Sequence, residues 1–448
     1  MPVASLMRKA LTGAGLALAV AACQSNSGTE TDAAAGAAPA GVASPLTAGT
    51  WRGVLATQGQ QIPFLFDVAT DGGQPTLTLR NGEERLKLDE ITTAGDSTTI
   101  RLGVFDAALV LRSAGEGQLT GAWVKYDADK PYRVPLTARK ATADTELFAA
   151  GPQPAPVFGD LKEGALFRTE FREADGKTYP AVGSFKQDAA HPSRVIGTFL
   201  TTTGDYRYLS GNLVKQADGS EHILLSTFDG SHGYLFDGKL SQPGNINRIS
   251  GDFYSGLTGH ETWTATLDPT VQLPDANALT GMKPGQKKLA FSFPSVEGSG
   301  SISPSDAKYR GKVVVVQLLG SWCPNCMDET NFLAPWYAEN KQRGVEIIGL
   351  GYERATYAPE AAKERLRKMK QRLNVGYDLA YAGEGKAAAA SASLPQLTKV
   401  LAFPTTIFLD KKGEVRKIHS GFSGPGTGQY YEQEKADFNK TIDQLLAE

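Results

Sequence analysis

Two thiols stand two residues apart in Gly320-Ser321-Trp322-Cys323-Pro324-Asn325-Cys326-Met327-Asp328-Glu329. At the start of a helix this spacing places the sulfurs about one turn apart. There they can interconvert between dithiol and disulfide. Free N–H groups and the macrodipole at a helix N-terminus also stabilise a thiolate on the leading cysteine. The preceding run Val313-Val314-Val315-Val316-Gln317-Leu318-Leu319 predicts the short buried strand that delivers the pair. A zinc centre would need two further ligands of suitable type. The chain has no second Cys-x-x-Cys and no His-x-x-x-His, and His191, His222, His232, His260 and His419 are scattered. They read as surface or sheet residues, so neither a metal nor another cofactor is expected.

The third and last cysteine is Cys23. Arg8-Lys9, the short apolar stretch Ala10 to Val20 and Val20-Ala21-Ala22-Cys23 have the order of a secretory signal, too short to span a bilayer comfortably. Small residues ending in Cys resemble the bacterial lipoprotein box. That resemblance implies residues 1–23 as a signal ending at a lipidated Cys23, a membrane-anchored protein facing the periplasm and, with Gln24 rather than Asp next, the outer membrane. A plain signal peptide containing a Cys is the alternative. Residues 24–48 are rich in Ala, Gly, Ser, Thr and Pro and read as a flexible tether, with a span of roughly 25 Å. With Cys23 as anchor, Cys323 and Cys326 are the only thiols left to react, as expected in an exported chain without structural disulfides. The net charge of -2 gives no reason to expect nucleic acid as a partner.

A chain of 448 residues is long enough for two or three domains. From 49 to 268 it alternates in period two between Gly-rich turns, as in Ile62 to Val68, Thr76 to Gly82 and Tyr132 to Thr137. No amphipathic helix interrupts it, and antiparallel all-β structure follows. A weak repeat relates Ile100 to Ala107 with Ile223 to Gly230. Leu119-Thr120-Gly121-Ala122-Trp123 likewise matches Ile249-Ser250-Gly251-Asp252-Phe253, and Ile196-Gly197-Thr198-Phe199 shares the element. Two tandem β units, 49–142 and 155–268, account for this; one large barrel or sandwich is the alternative. The polar clusters Asp229-Gly230-Ser231-His232 and Thr203-Gly204-Asp205-Tyr206-Arg207 have the composition of ordinary turns. Residues 269–288 read as a linker, and Leu289 to Pro294 as an edge strand entering the last domain.

From 289 to 448 strands and helices alternate, which implies an α/β sheet covered on both faces. Helices are expected from Cys326 to Asn340, Pro359 to Leu373 and Tyr431 to Leu446. Strands are expected at Val345 to Tyr352, Phe403 to Asp410 and Val415 to Ser420. The basic face of the second helix (Lys363, Arg365, Arg367, Lys368, Lys370, Arg372) reads as solvated, with a docking patch as the alternative.

This region resembles the exported TlpA/ResA family of thioredoxin-like thiol-disulfide oxidoreductases. The resemblance rests on Trp322-Cys323-Pro324-Asn325-Cys326, on Phe403-Pro404-Thr405-Thr406, and on Glu329 three residues after the second Cys. It implies Cys323 as the exposed nucleophile of a redox-active disulfide and Cys326 as the resolving thiol. It further implies Glu329 as an acid near the thiols, and Trp322, Phe403 and a cis Pro404 as the substrate-binding surface. Thioredoxin itself carries a buried Asp six residues before the first Cys; here Gln317 stands there and cannot ionise. Pro324-Asn325 supplies no positive charge between the thiols, so reduction of protein disulfides, fed by a membrane thiol donor, is the expected direction. A peroxidase of the peroxiredoxin type would want a Pro-x-x-x-Thr/Ser loop before its Cys, which is absent. A lipid-anchored β-sheet binding or scaffold protein with an accessory redox domain is the main alternative.

Overall fold

Period-two alternation becomes sheet as expected. In the computed structural model, residues 45–128, 130–142, 144–148, 164–188 and 194–448 are described; Cys23, the signal and most of the tether lie outside them. The first nine strands, between Gly49 and Lys140, form one antiparallel sheet. Its first strand, Gly49–Thr57, pairs with both Gln60–Asp71 and the last strand, Tyr132–Lys140. Trp51, Gly53, Leu55 and Thr57 alternate inward along that first strand, as a half-buried strand requires.

The second β body closes on itself. Ala165–Arg172 pairs with Gly259–Leu267 and with Thr178–Gln187, which pairs onward with Arg194–Thr201. Eight antiparallel strands thereby make a ring, and a two-residue strand, Gly204–Asp205, adds to Arg194–Thr201. The interior is aromatic: Phe167, Phe171, Phe185, Phe199, Phe236, Phe253 and Trp263 are all buried. Such rings bury large apolar areas and hold one another edge-to-face; Phe199 and Phe171 meet at 5.1 Å and 82°.

The repeated Gly has a steric cause. A Cβ on Gly121 would lie 1.9 Å from the Val110 carbonyl oxygen, and one on Gly251 1.8 Å from that of Asp237. Gly197 meets Ser184 O in the same way at 2.0 Å. Each glycine lets a neighbouring backbone approach where no side chain fits. The two β bodies share a core, with the Phe228 ring 4.7 Å from Phe64 and 5.3 Å from Trp123.

The last domain is built on a five-stranded sheet. In spatial order its strands are Asp378–Glu384, Val345–Glu353, Val313–Leu319, Thr405–Leu409 and Val415–Ser420. The first three are parallel and the last two antiparallel. Val313–Leu319 and Val345–Glu353 are buried along their whole length, as strands covered on both faces must be. Helices Pro324–Asn340, Pro359–Arg372, Ala387–Ser393 and Gln429–Ala447 complete the domain.

Two expectations change. The segment from Leu289 is not an edge strand of this sheet: only Phe293–Pro294 pairs, with Ser301–Ile302, in a separate two-stranded ladder. Pro294 has no N–H to extend a ladder. The basic helix face is not simply solvated. Arg365 pairs with Asp106 at 2.6 Å, Lys368 with Glu90 at 3.4 Å, and Arg372 with Glu90 and Asp89. It docks this domain on the first sheet. Among the described residues no helix is long and apolar enough to cross a membrane.

Candidate active site

The buried strand Val313–Leu319 ends at Gly320, and the chain turns through Ser321-Trp322 into the helix Pro324–Asn340. Pro324 occupies the first helical turn, where its missing N–H costs nothing. Cys323 is the N-cap residue, and its sulfur accepts a hydrogen bond from Cys326 N at 3.2 Å. Its partner Cys326, to which it is disulfide-bonded, is fully buried, whereas Cys323 is 6% exposed. Cys323, at the helix N-terminus, is thus the more accessible of the two.

The remaining expected residues gather here. The Phe403–Pro404 peptide is cis, and Cys323 Sγ lies 3.6 Å from the Phe403 carbonyl oxygen. The Trp322 ring meets Phe403 edge-on at 6.0 Å, donates from Nε1 to Tyr352 O at 2.9 Å, and carries Arg354 over its face at 4.0 Å.

Glu329 is buried on the same helix. Thr406 Oγ1 donates to its Oε1, and Gln317 Nε2 donates to its Oε2 at 2.7 Å. Gln317 is itself fixed, accepting from Tyr377 OH at 3.1 Å. Gln317, which replaces an ionisable residue, therefore orients the acid that is present. Burial pushes the Glu329 carboxyl up to about 7 against these two hydrogen bonds. A second buried acid, Glu353, accepts from Ser321 N and Oγ, both at 2.8 Å, and fixes the turn before Cys323. Burial raises it also to about 7.

Sequence reasoning missed half of the site. The two polar clusters taken as ordinary turns both lie against the thiols. Arg207 is 7% exposed and donates from Nη1 to Pro324 O at 3.0 Å. It is also paired with Asp328 and with Glu84, while its Nε stands 3.7 Å from Asp229 Oδ2. Burial works against the cation, but Asp328, Glu84 and Asp229 hold it charged, well above its ordinary range. Burial lifts the Asp328 carboxyl to about 7 even so. Asp205 anchors the turn, accepting from Arg207 N at 2.5 Å and Gly424 N at 2.7 Å. Asn325, between the cysteines, donates to Asp205 O at 3.1 Å, and Ser231 Oγ donates to Trp322 O at 3.3 Å. Between these turns and Trp322-Cys323-Pro324-Asn325 and Phe403 lies an open cleft of about 480 Å³. Among the described residues no group of three His, Cys, Asp or Glu could hold a metal ion.

Residues 283–436 match the Redoxin family model. The chain is 27% identical over 113 residues to "Thiol-disulfide oxidoreductase ResA" of Geobacillus kaustophilus, covering 25% of this chain and 57% of that protein. It therefore spans little more than half the length of that relative. It is 24% identical over 150 residues to "Thiol:disulfide interchange protein DsbE" of Tatumella citrea, covering 33% and 70%. A secreted thiol-disulfide isomerase from Corynebacterium glutamicum superposes with a TM-score of 0.30 and 19% identity, over 40% of this chain and 99% of that one. The C-terminal third of the chain is thus a TlpA/ResA-like redoxin domain of thioredoxin fold.

Proposed function

We propose that the protein is an extracytoplasmic thiol-disulfide oxidoreductase that reduces protein disulfides. One observation carries the reading: the sulfur facing the cleft caps a helix N-terminus beside a cis proline, and its partner is buried one turn behind. In the reduced enzyme the Cys323 thiolate attacks one sulfur of a substrate disulfide. The substrate S–S bond breaks, and the departing thiolate takes a proton from solvent. Cys326 then attacks the Cys323 sulfur, yielding its proton to Glu329 as the second substrate thiolate leaves. The substrate gains two electrons and becomes two thiols; Cys323–Cys326 becomes a disulfide. A membrane thiol donor restores the dithiol.

Similarity to the DsbE protein supports a place in the cell envelope. Anchoring through Cys23 in the outer membrane is our reading of the N-terminal sequence. The docking of both β bodies on the redoxin domain favours a β region that serves the thiols over a scaffold with an accessory redox domain. The test is Cys326→Ser expressed in the host cell. A mixed disulfide with envelope proteins should accumulate on Cys323, and Cys323→Ser/Cys326→Ser should trap nothing. Failure of the single variant to form any adduct would sink the exchange mechanism.

A further inference from the structure

The second barrel supplies most of the wall that faces the reactive sulfur. Glu173, Tyr179, Asp205, Tyr206, Arg207, Asp229, His232, Tyr234 and Glu261 line the cleft opposite Cys323, Trp322 and Phe403. Tyr179 OH donates to Glu261 Oε2 at 2.6 Å and shares a hydrogen bond with Tyr206 OH at 2.7 Å, so the aromatic wall is fixed. Four carboxyl groups on this wall face one guanidinium and one imidazole. The guanidinium is already shared with Glu84 and Asp328. The local excess is acidic although the chain as a whole is near neutral. The volume, about 480 Å³, lies in the range that takes a small ligand or a short stretch of chain, far below a folded domain.

We propose that this cleft is a specificity site for a short, extended, cationic polypeptide segment that carries the disulfide to Cys323. The proposal rests on the thiol-exchange reading above and adds the substrate class. Lysine or arginine beside the substrate cysteine would meet Glu173 and Glu261 and lie across the tyrosine faces. A disulfide inside a compact protein would be excluded by size until that segment unfolds.

The test uses the full chain, reduced, with single-cysteine peptides carrying a 2-thiopyridyl disulfide and flanked by Lys, Ser or Glu; thiopyridone release reports the first exchange. We expect the second-order rate constant for the Lys peptide to exceed that for the Glu peptide by about tenfold at low ionic strength, a size that two partly exposed carboxylates can supply. Raising the salt should shrink the ratio. In Glu173→Gln/Glu261→Gln it should fall to about twofold. Because the ratio is taken within one enzyme, any loss of folded fraction cancels. A wild-type ratio near one, or an unchanged ratio in the double variant, overturns the proposal. Absence of release from every peptide, with both thiols titratable, overturns the exchange reading and the proposal with it.

Discussion

Replacing Arg207 with Ala should unseat the second barrel from the thiol helix, and the loss should depend on pH. The side chain is the buried cation among Glu84, Asp328 and Asp229 and also donates to Pro324 O. Removing one partner of a buried charge network costs about 3–5 kcal/mol, because the remaining charges stay desolvated. The carboxylates can reduce this cost by taking up protons. Asp328 already stands near 7 with Arg207 in place, so its pKa rises further in the variant. A carboxyl neutral in the folded chain and ionised in the unfolded one makes stability fall as pH rises above its unfolded pKa. In wild type that fall levels off near pH 7, whereas in the variant it continues at about 1.4 kcal/mol per pH unit. Urea denaturation of wild type and Arg207→Ala at pH 5.5 and 7.5 should therefore show the gap widening by roughly 1 kcal/mol. Hydrogen exchange should locate the opening at residues 203–209 and 324–330. Combining Arg207→Met with Glu84→Gln and Asp328→Asn should recover part of the loss, since no carboxylate of the Glu84–Asp328 pair is then left buried without its cation. A loss below about 1 kcal/mol, equal at both pH values, would mean that the cluster is solvated and the docking argument wrong.

Three further outcomes follow from the site. In the proposed mechanism Glu329, raised to about 7, accepts a proton from Cys326 only when ionised, so resolution of the mixed disulfide should speed up as pH rises through about 7. Glu329→Gln should remove that limb of the pH–rate profile and slow the step by roughly 10²-fold above it; an unchanged profile would remove the residue from the mechanism. Gly204 has φ +140°, and a Cβ there would lie 2.0 Å from Asn325 Nδ2. Gly204→Val should thus break the Asn325–Asp205 contact and speed hydrogen exchange in 203–207, with the Cys323–Cys326 disulfide still able to form. Glu90→Arg should weaken the hold on the helix Pro359–Arg372, and adding Arg372→Glu should restore part of it in low salt but not at 1 M, where such pairs are screened; equal melting of the two variants at low salt would count against the pair.

What the sequence disclosed and what it withheld separate along physical lines. The thiol pair, its strand and its helix were legible because each is local. Four β-branched residues in a row predict a strand covered on both faces, and a Pro one residue past the N-cap predicts the helix start. The β region was legible as strands, but ring closure depends on Thr178–Gln187 meeting Arg194–Thr201 while Ala165–Arg172 meets Gly259–Leu267. Those pairings are set by twist and register, which composition does not record. The docking contacts were hidden for a different reason. Arg365 has its acid, Asp106, on another sheet and over 250 positions earlier, so the helix face looks solvated when read alone. Thr203-Gly204-Asp205-Tyr206-Arg207 looks like any hairpin turn. Arg207 becomes distinctive only when Pro324 O and Asp328 arrive.

The weak repeat acquires a meaning from these contacts. Its aligned stretches end in Phe105-Asp106 and Phe228-Asp229, each in the turn that leaves a strand. Asp106 holds Arg365 and accepts from Tyr357 OH at 2.8 Å. Asp229 faces Arg207 and takes hydrogen bonds from the Ser231 and His232 amides. Val104 and Phe105 enter the same apolar cluster as Cys323 and Cys326, while Phe228 joins the core shared by the two β bodies. The turn of the first body thus reaches the redoxin domain directly, and that of the second reaches it through Ser231 Oγ on Trp322 O and through Arg207 on Pro324 O. One grip alone would hold the domain from a single body and leave the opposite wall of the cleft untied. Two grips fix the distance between the barrel mouth and Cys323, and a cleft of constant width is what a site needs if it is to select substrates by charge and size before the sulfurs meet.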